Sequence, residues 1–190
     1  MCNDLLEFWM IFTNLFSGVA YGVIAPIVPL EYARKGIDGF HVGSVFALYS
    51  VAIILVSPVV GKFMNRWGYK NLLAASQCLF GIAWICFGFI ESMESVVNII
   101  VLGCLTRFIQ GVGSAFMQTT NYSIATTYFS KNQERMIGLL EAATGIGMGV
   151  GPVIGSALYS FFGFWNTFLF YGVGLILTGV LLWLTIPERE

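Results

Sequence analysis

The chain has 190 residues, 57% of them hydrophobic and 10% charged, with 9 Lys and Arg against 10 Asp and Glu for a net charge of −1. Soluble domains carry roughly 25% charged residues, so this composition excludes an ordinary water-soluble globule, and its apolar content excludes disorder. No basic excess is present to bind nucleic acid, and 1 His with 4 scattered Cys makes no metal cluster or disulfide framework.

A membrane-spanning helix needs about 20 predominantly apolar residues. Taking charge as the boundary predicts spans at 8–30, 42–61, 71–90, 96–117, 136–159 and 166–186, and six spans with short loops use nearly the whole chain. Runs this long do not alternate as barrel strands do. The expected fold is therefore an all-α membrane protein, a single bundle of six transmembrane helices with the lipid bilayer as its surroundings.

Span one carries Asn14, Ser17 and Tyr21 at i, i+3 and i+7, so they share a face where a cavity lining would lie. Pro26 and Pro29 are expected to disturb its outer end. Glu31 closes it, either to draw in a cation or as an interfacial partner of Arg34 and Lys35. His41 begins span two. Spans three and four hold Cys78, Cys86 and Cys104, which in lipid behave as small apolar side chains. The stretch 118–135 is polar and reads as a helix end followed by an interfacial loop. Arg107 and Glu141 are the ionisable residues inside the span limits.

Lys62, Arg66, Lys70, Lys131, Arg135 and Arg189 fall on one side if the spans alternate, and Arg34 and Lys35 on the other. The excess predicts that both termini face the cytoplasm. Met1-Cys-Asn-Asp has no basic leader or small-residue cleavage site, so the first span is expected to serve as its own insertion signal.

Two stretches match each other. Pro58, Val59 and Gly61 recur as Pro152, Val153 and Gly155, and Gly68 and Asn71 recur as Gly163 and Asn166 after one inserted residue. Three spans separate the copies, which places them on opposite faces. This is the pattern of a 3+3 inverted repeat, a sign of secondary transporters; matches made mostly of Gly and Pro also arise by chance.

Three motifs in chain order resemble those of one family. Gly61-Lys-Phe-Met-Asn-Arg-Trp-Gly-Tyr-Lys70 is similar to the G-x-x-x-D-R-x-G-R-K loop of the major facilitator superfamily. Arg107-Phe-Ile-Gln-Gly-Val-Gly-Ser-Ala115 resembles its span-four R-x-x-Q-G-x-G-x-A, and Gly147-Met-Gly-Val-Gly-Pro-Val-Ile-Gly155 its span-five antiporter motif. Ala25-Pro-Ile-Val-Pro-Leu-Glu31 and Gly138-Leu-Leu-Glu-Ala-Ala-Thr-Gly145 look like the vesicular amine and polyamine branch of the drug–proton antiporters. The resemblance implies half of a twelve-span fold, with a small-molecule substrate held against a second six-span half, and protons as the coupling ion. That half would come from the same protein, a homodimer or a partner chain; a half-size subunit that assembles without transporting is the alternative.

The resemblance also implies roles. Gly61, Asn65, Arg66, Gly68 and Lys70 would form a gating loop, with Asn65 standing where the family has Asp and so lacking its charge; alternatively Gly61 and Gly68 make a turn and the basic residues only set topology. Arg107 would take part in proton coupling, and Gln110 at i+3 shares its face. An Arg near mid-membrane costs roughly 3 kcal/mol even on the lenient insertion scale, so it must meet a partner or water, in function or as a buried structural group. Glu141 would gain and lose a proton, or simply sit at a favourable helix N-terminus. Gly147, Gly151 and Gly155, with a kink at Pro152, would pack on the second half, on a neighbouring helix or on a second copy. No acidic residue lies mid-way along span one, a departure from the monoamine members. No nucleophile–base pair, metal site or phosphate loop is present, so neither an enzyme nor a cofactor is expected.

Overall fold

The computed structural model describes residues 2–186, with side chains from Asp4 onward except those of Phe63 and Asn65. Its helices are α1 (Cys2–Arg34), α2 (Gly39–Trp67), α3 (Tyr69–Gly88), α4 (Val96–Tyr128) and α5 (Gln133–Thr185), with short 3₁₀ turns at Phe89–Ser92 and Ser130–Asn132. Each lies in a segment long and apolar enough to cross a membrane, and no strand occurs among the described residues. Large apolar side chains such as Ile54, Val153 and Leu184 point outward, as they do where the surroundings are lipid.

α1, α2 and α4 run past their expected spans and α5 takes in two of them, whereas α3 is no longer than the span expected for it. Charge marks where apolar runs stop, but a helix keeps its backbone hydrogen bonds beyond that point. The polar stretch 118–135 is thus mostly helix, since α4 continues to Tyr128. The loop expected around 62–70 shrinks to Gly68, because α2 stays helical to Trp67 and α3 begins at Tyr69. Gly61 is helical rather than part of a turn. Pro26, Pro29 and Pro152 all lie inside helices, and α1 continues past the first two to Arg34. Arg189 lies outside the described residues.

Five helices are counted where six were expected, because only the non-helical backbone of Gly163, and no loop, separates residues 159 and 166. At 53 residues, α5 would measure about 80 Å if straight, against roughly 30 Å of hydrocarbon. It is not straight. Gly163 has φ 78° and ψ −179°, a region open essentially to glycine alone. Before it, Gly147, Gly151 and Gly155 meet Leu15, Gly22 and Val23 in turn, so this arm runs alongside α1 in the same sense. After it, Gly172 meets Gly81 and Ile85, and Gly179 meets Ala74 and Gln77, so the second arm runs counter to α3.

The same device joins α2 to α3. Gly68 has φ 72° and ψ 150°. Three residues later, the Asn71 side-chain amide donates to the Trp67 carbonyl at 3.1 Å. In α5, Asn166 donates to the Phe162 carbonyl at 2.9 Å. A positive-φ glycine followed by an asparagine that clamps the residue before it occurs at both places.

At the end of α1, Gly36 turns the chain and Asp38 caps α2, accepting from the His41 N–H at 3.2 Å. The hydrogen bond with the His41 ring at 2.6 Å, and next the one from its N–H, hold the Asp38 carboxyl below the usual carboxylate range. Two apolar clusters fill the bundle. One holds Trp84, Phe87, Phe164, Phe168 and Tyr171 between α3 and the second arm of α5, and the other Leu6, Met10, Leu73, Ile124 and Leu140.

Candidate functional site

The bundle closes over one buried cation. Arg107 on α4 is 1% exposed. Its Nη1 donates to Gln110 Oε1 at 2.9 Å, the i+3 neighbour on the same helix face. Gln110 Nε2 in turn reaches the Ala83 carbonyl of α3 at 3.4 Å. The guanidinium carbon lies 4.7 Å from the Tyr49 ring centre, 4.9 Å from Phe46 and 5.8 Å from Tyr21. Aromatic faces attract a desolvated cation, which offsets part of its burial cost. Tyr49 donates to Ser114 Oγ at 2.8 Å, and Gln118 donates to the same oxygen at 2.9 Å. Among the described residues no carboxylate pairs with Arg107, and its Nε and Nη2 have no hydrogen-bond partner.

Close helix approach brings this cage together. A Cβ at Gly111 would fall 2.4 Å from the Tyr49 carbonyl oxygen, so glycine there lets α4 reach α2. A Cβ at Gly103 would meet the Tyr32 hydroxyl at 2.2 Å, which seats that hydroxyl one helical turn from Arg107 on the same α4 face.

The span-one residues divide. Tyr21 stands in the cage, 5.3 Å from the Tyr49 ring. Asn14 is buried between helices instead, donating to the Met10 carbonyl at 2.9 Å and accepting from Thr144 at 3.3 Å. Ser17 is buried as well. Near Asn14, Asn121 of α4 donates to Thr13 at 3.2 Å, which ties α4 to α1.

The two acidic candidates lie apart from Arg107. Glu141 is exposed and accepts a hydrogen bond from Tyr122. Glu31 is 8% exposed; Tyr159 donates to it at 3.4 Å, and Arg34 stands 3.8 Å away while also donating to Tyr159. Each carboxylate is thus joined to a tyrosine from another helix.

In the gating segment, Gly61 and Arg66 are exposed, Gly68 forms the turn, and the Lys70 amine lies 5.0 Å over the Trp183 ring. The Asn65 side chain lies outside the described residues. The antiporter-motif glycines are filled by α1: a Cβ at Gly151 would come 2.6 Å from the Gly22 Cα, and the Pro152 ring also borders Gly22. That places the Gly147, Gly151 and Gly155 face inside this bundle, rather than toward a second half or a second copy.

Phe46, Tyr49, Tyr32 and Ser114 were not foreseen as site residues. Phe46 and Tyr49 are i, i+3 on α2, which marks a shared face, but nothing local shows that this face covers Arg107.

The family model of the Major Facilitator Superfamily matches residues 10–190. The chain is 29% identical to "MFS-type transporter SLC18B1" of Rattus norvegicus over 177 residues, 93% of this chain and 39% of that protein. It is 26% identical to "Multidrug resistance protein 1" of Bacillus subtilis over 183 residues, 95% of this chain and 45% of the relative. Against "Vesicular acetylcholine transporter" of Torpedo marmorata the identity is 29% over 155 residues, 80% of this chain and 29% of the relative. The chain therefore spans less than half the length of these relatives.

Proposed function

The chain belongs to the major facilitator superfamily, as a multi-pass integral membrane protein and not an enzyme, and from that premise we propose that it forms the N-terminal half of a proton-coupled secondary transporter for a small organic solute. The observation that carries the reading is Arg107: a guanidinium buried among four helices, on a helix long and apolar enough to cross a membrane, held by Gln110 and three aromatic rings. An ionisable group at that depth is costly, and such groups mark solute and ion pathways.

Proton coupling is supported by Glu141 and Glu31, carboxylates hydrogen-bonded to Tyr122 and Tyr159 near opposite ends of the first arm of α5. The names of the relatives, one a multidrug resistance protein and another an acetylcholine transporter, favour a drug or amine as the solute. The matching turns at Gly68 and Gly163 favour a 3+3 inverted repeat, in which the two arms of α5 serve as the fifth and sixth spans. Both termini then face the cytoplasm, with Lys62, Arg66, Lys70 and Lys131 on that side. A second six-span half, supplied by the same protein or a partner, completes the solute cavity.

The test is uptake into vesicles that hold the native protein under an imposed pH gradient, using a panel of organic amines and drug cations. The reading expects uptake of some member that collapses with a protonophore and falls sharply in Glu141→Gln. Uptake by no member of the panel, or uptake indifferent to both treatments, contradicts it.

A further inference from the structure

We propose that Arg107 and Tyr32 together form a carboxylate-binding site, so that the transported solute carries a carboxylate group in addition to any amine; this rests on the transport reading above. Arg107 spends Nη1 on Gln110. That leaves Nε and Nη2, the two donors along one edge of the guanidinium, without partners among the described residues. This edge presents two parallel N–H groups, the geometry that takes both oxygens of a carboxylate. The Tyr32 hydroxyl is likewise buried and without a partner, and it sits over Gly103, one turn along α4 on the Arg107 face. The two unpartnered donors of the guanidinium and the unpartnered Tyr32 hydroxyl thus lie about one turn apart along the same face of α4. Buried polar groups are normally hydrogen-bonded, and a buried cation needs a countercharge.

No carboxylate among the described residues supplies that countercharge. Glu31 is engaged with Tyr159 and Arg34, and Glu141 with Tyr122. The surrounding rings, Tyr21, Phe46 and Tyr49, are already occupied by the guanidinium, so a solute with only a positive charge would meet a like charge at this point. A carboxylate would accept from the guanidinium edge and from Tyr32, and would neutralise the buried cation as it binds. Tyr21 and Phe46 are partly exposed and form the side from which it would enter.

The experiment is thermal unfolding of the purified native protein in mild detergent, titrated with sodium acetate at constant ionic strength. Acetamide serves as the uncharged control of the same shape, and sodium chloride as a parallel titration. A saturable rise in unfolding temperature with acetate, absent with acetamide, is expected. It should vanish in Arg107→Gln and move to about fivefold higher acetate in Tyr32→Phe, the loss of one hydrogen bond. Saturation by chloride without any by acetate would assign the site to an inorganic ion and overturn the proposal. Equal effects of acetate and acetamide, or no saturable effect, would also overturn it, including the case where another part of the protein fills the site with its own carboxylate. Should Arg107→Gln fail to fold, the wild-type contrast of acetate with acetamide and the Tyr32→Phe shift decide alone. Because binding is read without transport, acetate saturation stands even if proton-driven uptake is never found. Uptake without acetate saturation sinks this inference and leaves the transport reading intact.

Discussion

Arg107 is held by planarity as much as by charge. Its fork reaches Gln110 while its flat face lies against Tyr49 and Phe46. Lysine offers a compact point charge that can do one of these but not both. Arg107→Lys is therefore expected to fold and to lose transport by roughly tenfold or more, measured as the initial rate of proton-driven uptake. Gln110→Ala removes the one hydrogen-bonded partner of the guanidinium, and an unsatisfied buried polar group costs about 1–3 kcal/mol; a lower unfolding temperature in detergent checks it. The Arg107–Gln110 pair was legible in the sequence because i, i+3 spacing on a helix fixes adjacency. The aromatic cage was not, because Tyr21 and Tyr49 meet Arg107 only through the way α1, α2 and α4 pack. Glu141 was legible as a titratable group inside a span, but its partner Tyr122 stands 19 residues away on another helix.

Helix contacts depend on glycines of two kinds, which calls for opposite outcomes from similar substitutions. Gly147, Gly151 and Gly155 meet the α1 backbone directly, whereas Gly145 and Gly149 have open space around their Cα. Gly151→Ala should force α1 and α5 apart at a cost of about 1–3 kcal/mol. Gly149→Ala should be neutral or stabilising by up to ~1 kcal/mol, since alanine is the better helix former. Equal unfolding temperatures for the two variants would contradict the packing described. Gly68 and Gly163 differ again: they have space for a side chain but hold a backbone conformation that L-residues avoid. Alanine at either should cost about 1–3 kcal/mol through strain alone, while Gly61→Ala, in open space within a helix, should be tolerated. The Asp38 cap has a pH signature. Its carboxyl is held below the ordinary range in the folded state, so its support for α2 is full above that range and fades as pH falls through the lowered value. Fluorescence of a reporter on the α1–α2 turn, lost in Asp38→Asn, would follow this. Apolar runs fall within helices, but α1, α2 and α4 extend past them, because charge marks where an apolar run stops and not where a helix ends. The join of the fifth and sixth expected spans was legible only as Gly163 between two apolar runs, with no charged residue to signal a turn.

At the scale of the molecule, the parts agree on one organisation. The two arms of α5 pack on α1 and α3, while α2 packs alongside α4 at Gly103 and Gly111. α2 and α3 cover the face of α4 that carries Arg107, while Val101 and Leu105 of the same helix stay exposed. A scaffold would need the close-packed glycines but not a caged cation with unspent donors. The same distinction sets the decisive measurement: the rate of solute uptake driven by a pH gradient in vesicles holding the native protein, compared with Arg107→Ala at matched protein content. The account predicts that uptake falls by roughly 100-fold or more, the scale expected when a group that positions the solute is removed, while the variant still inserts and keeps its native mass in detergent. Uptake that continues at the wild-type rate in Arg107→Ala would contradict it.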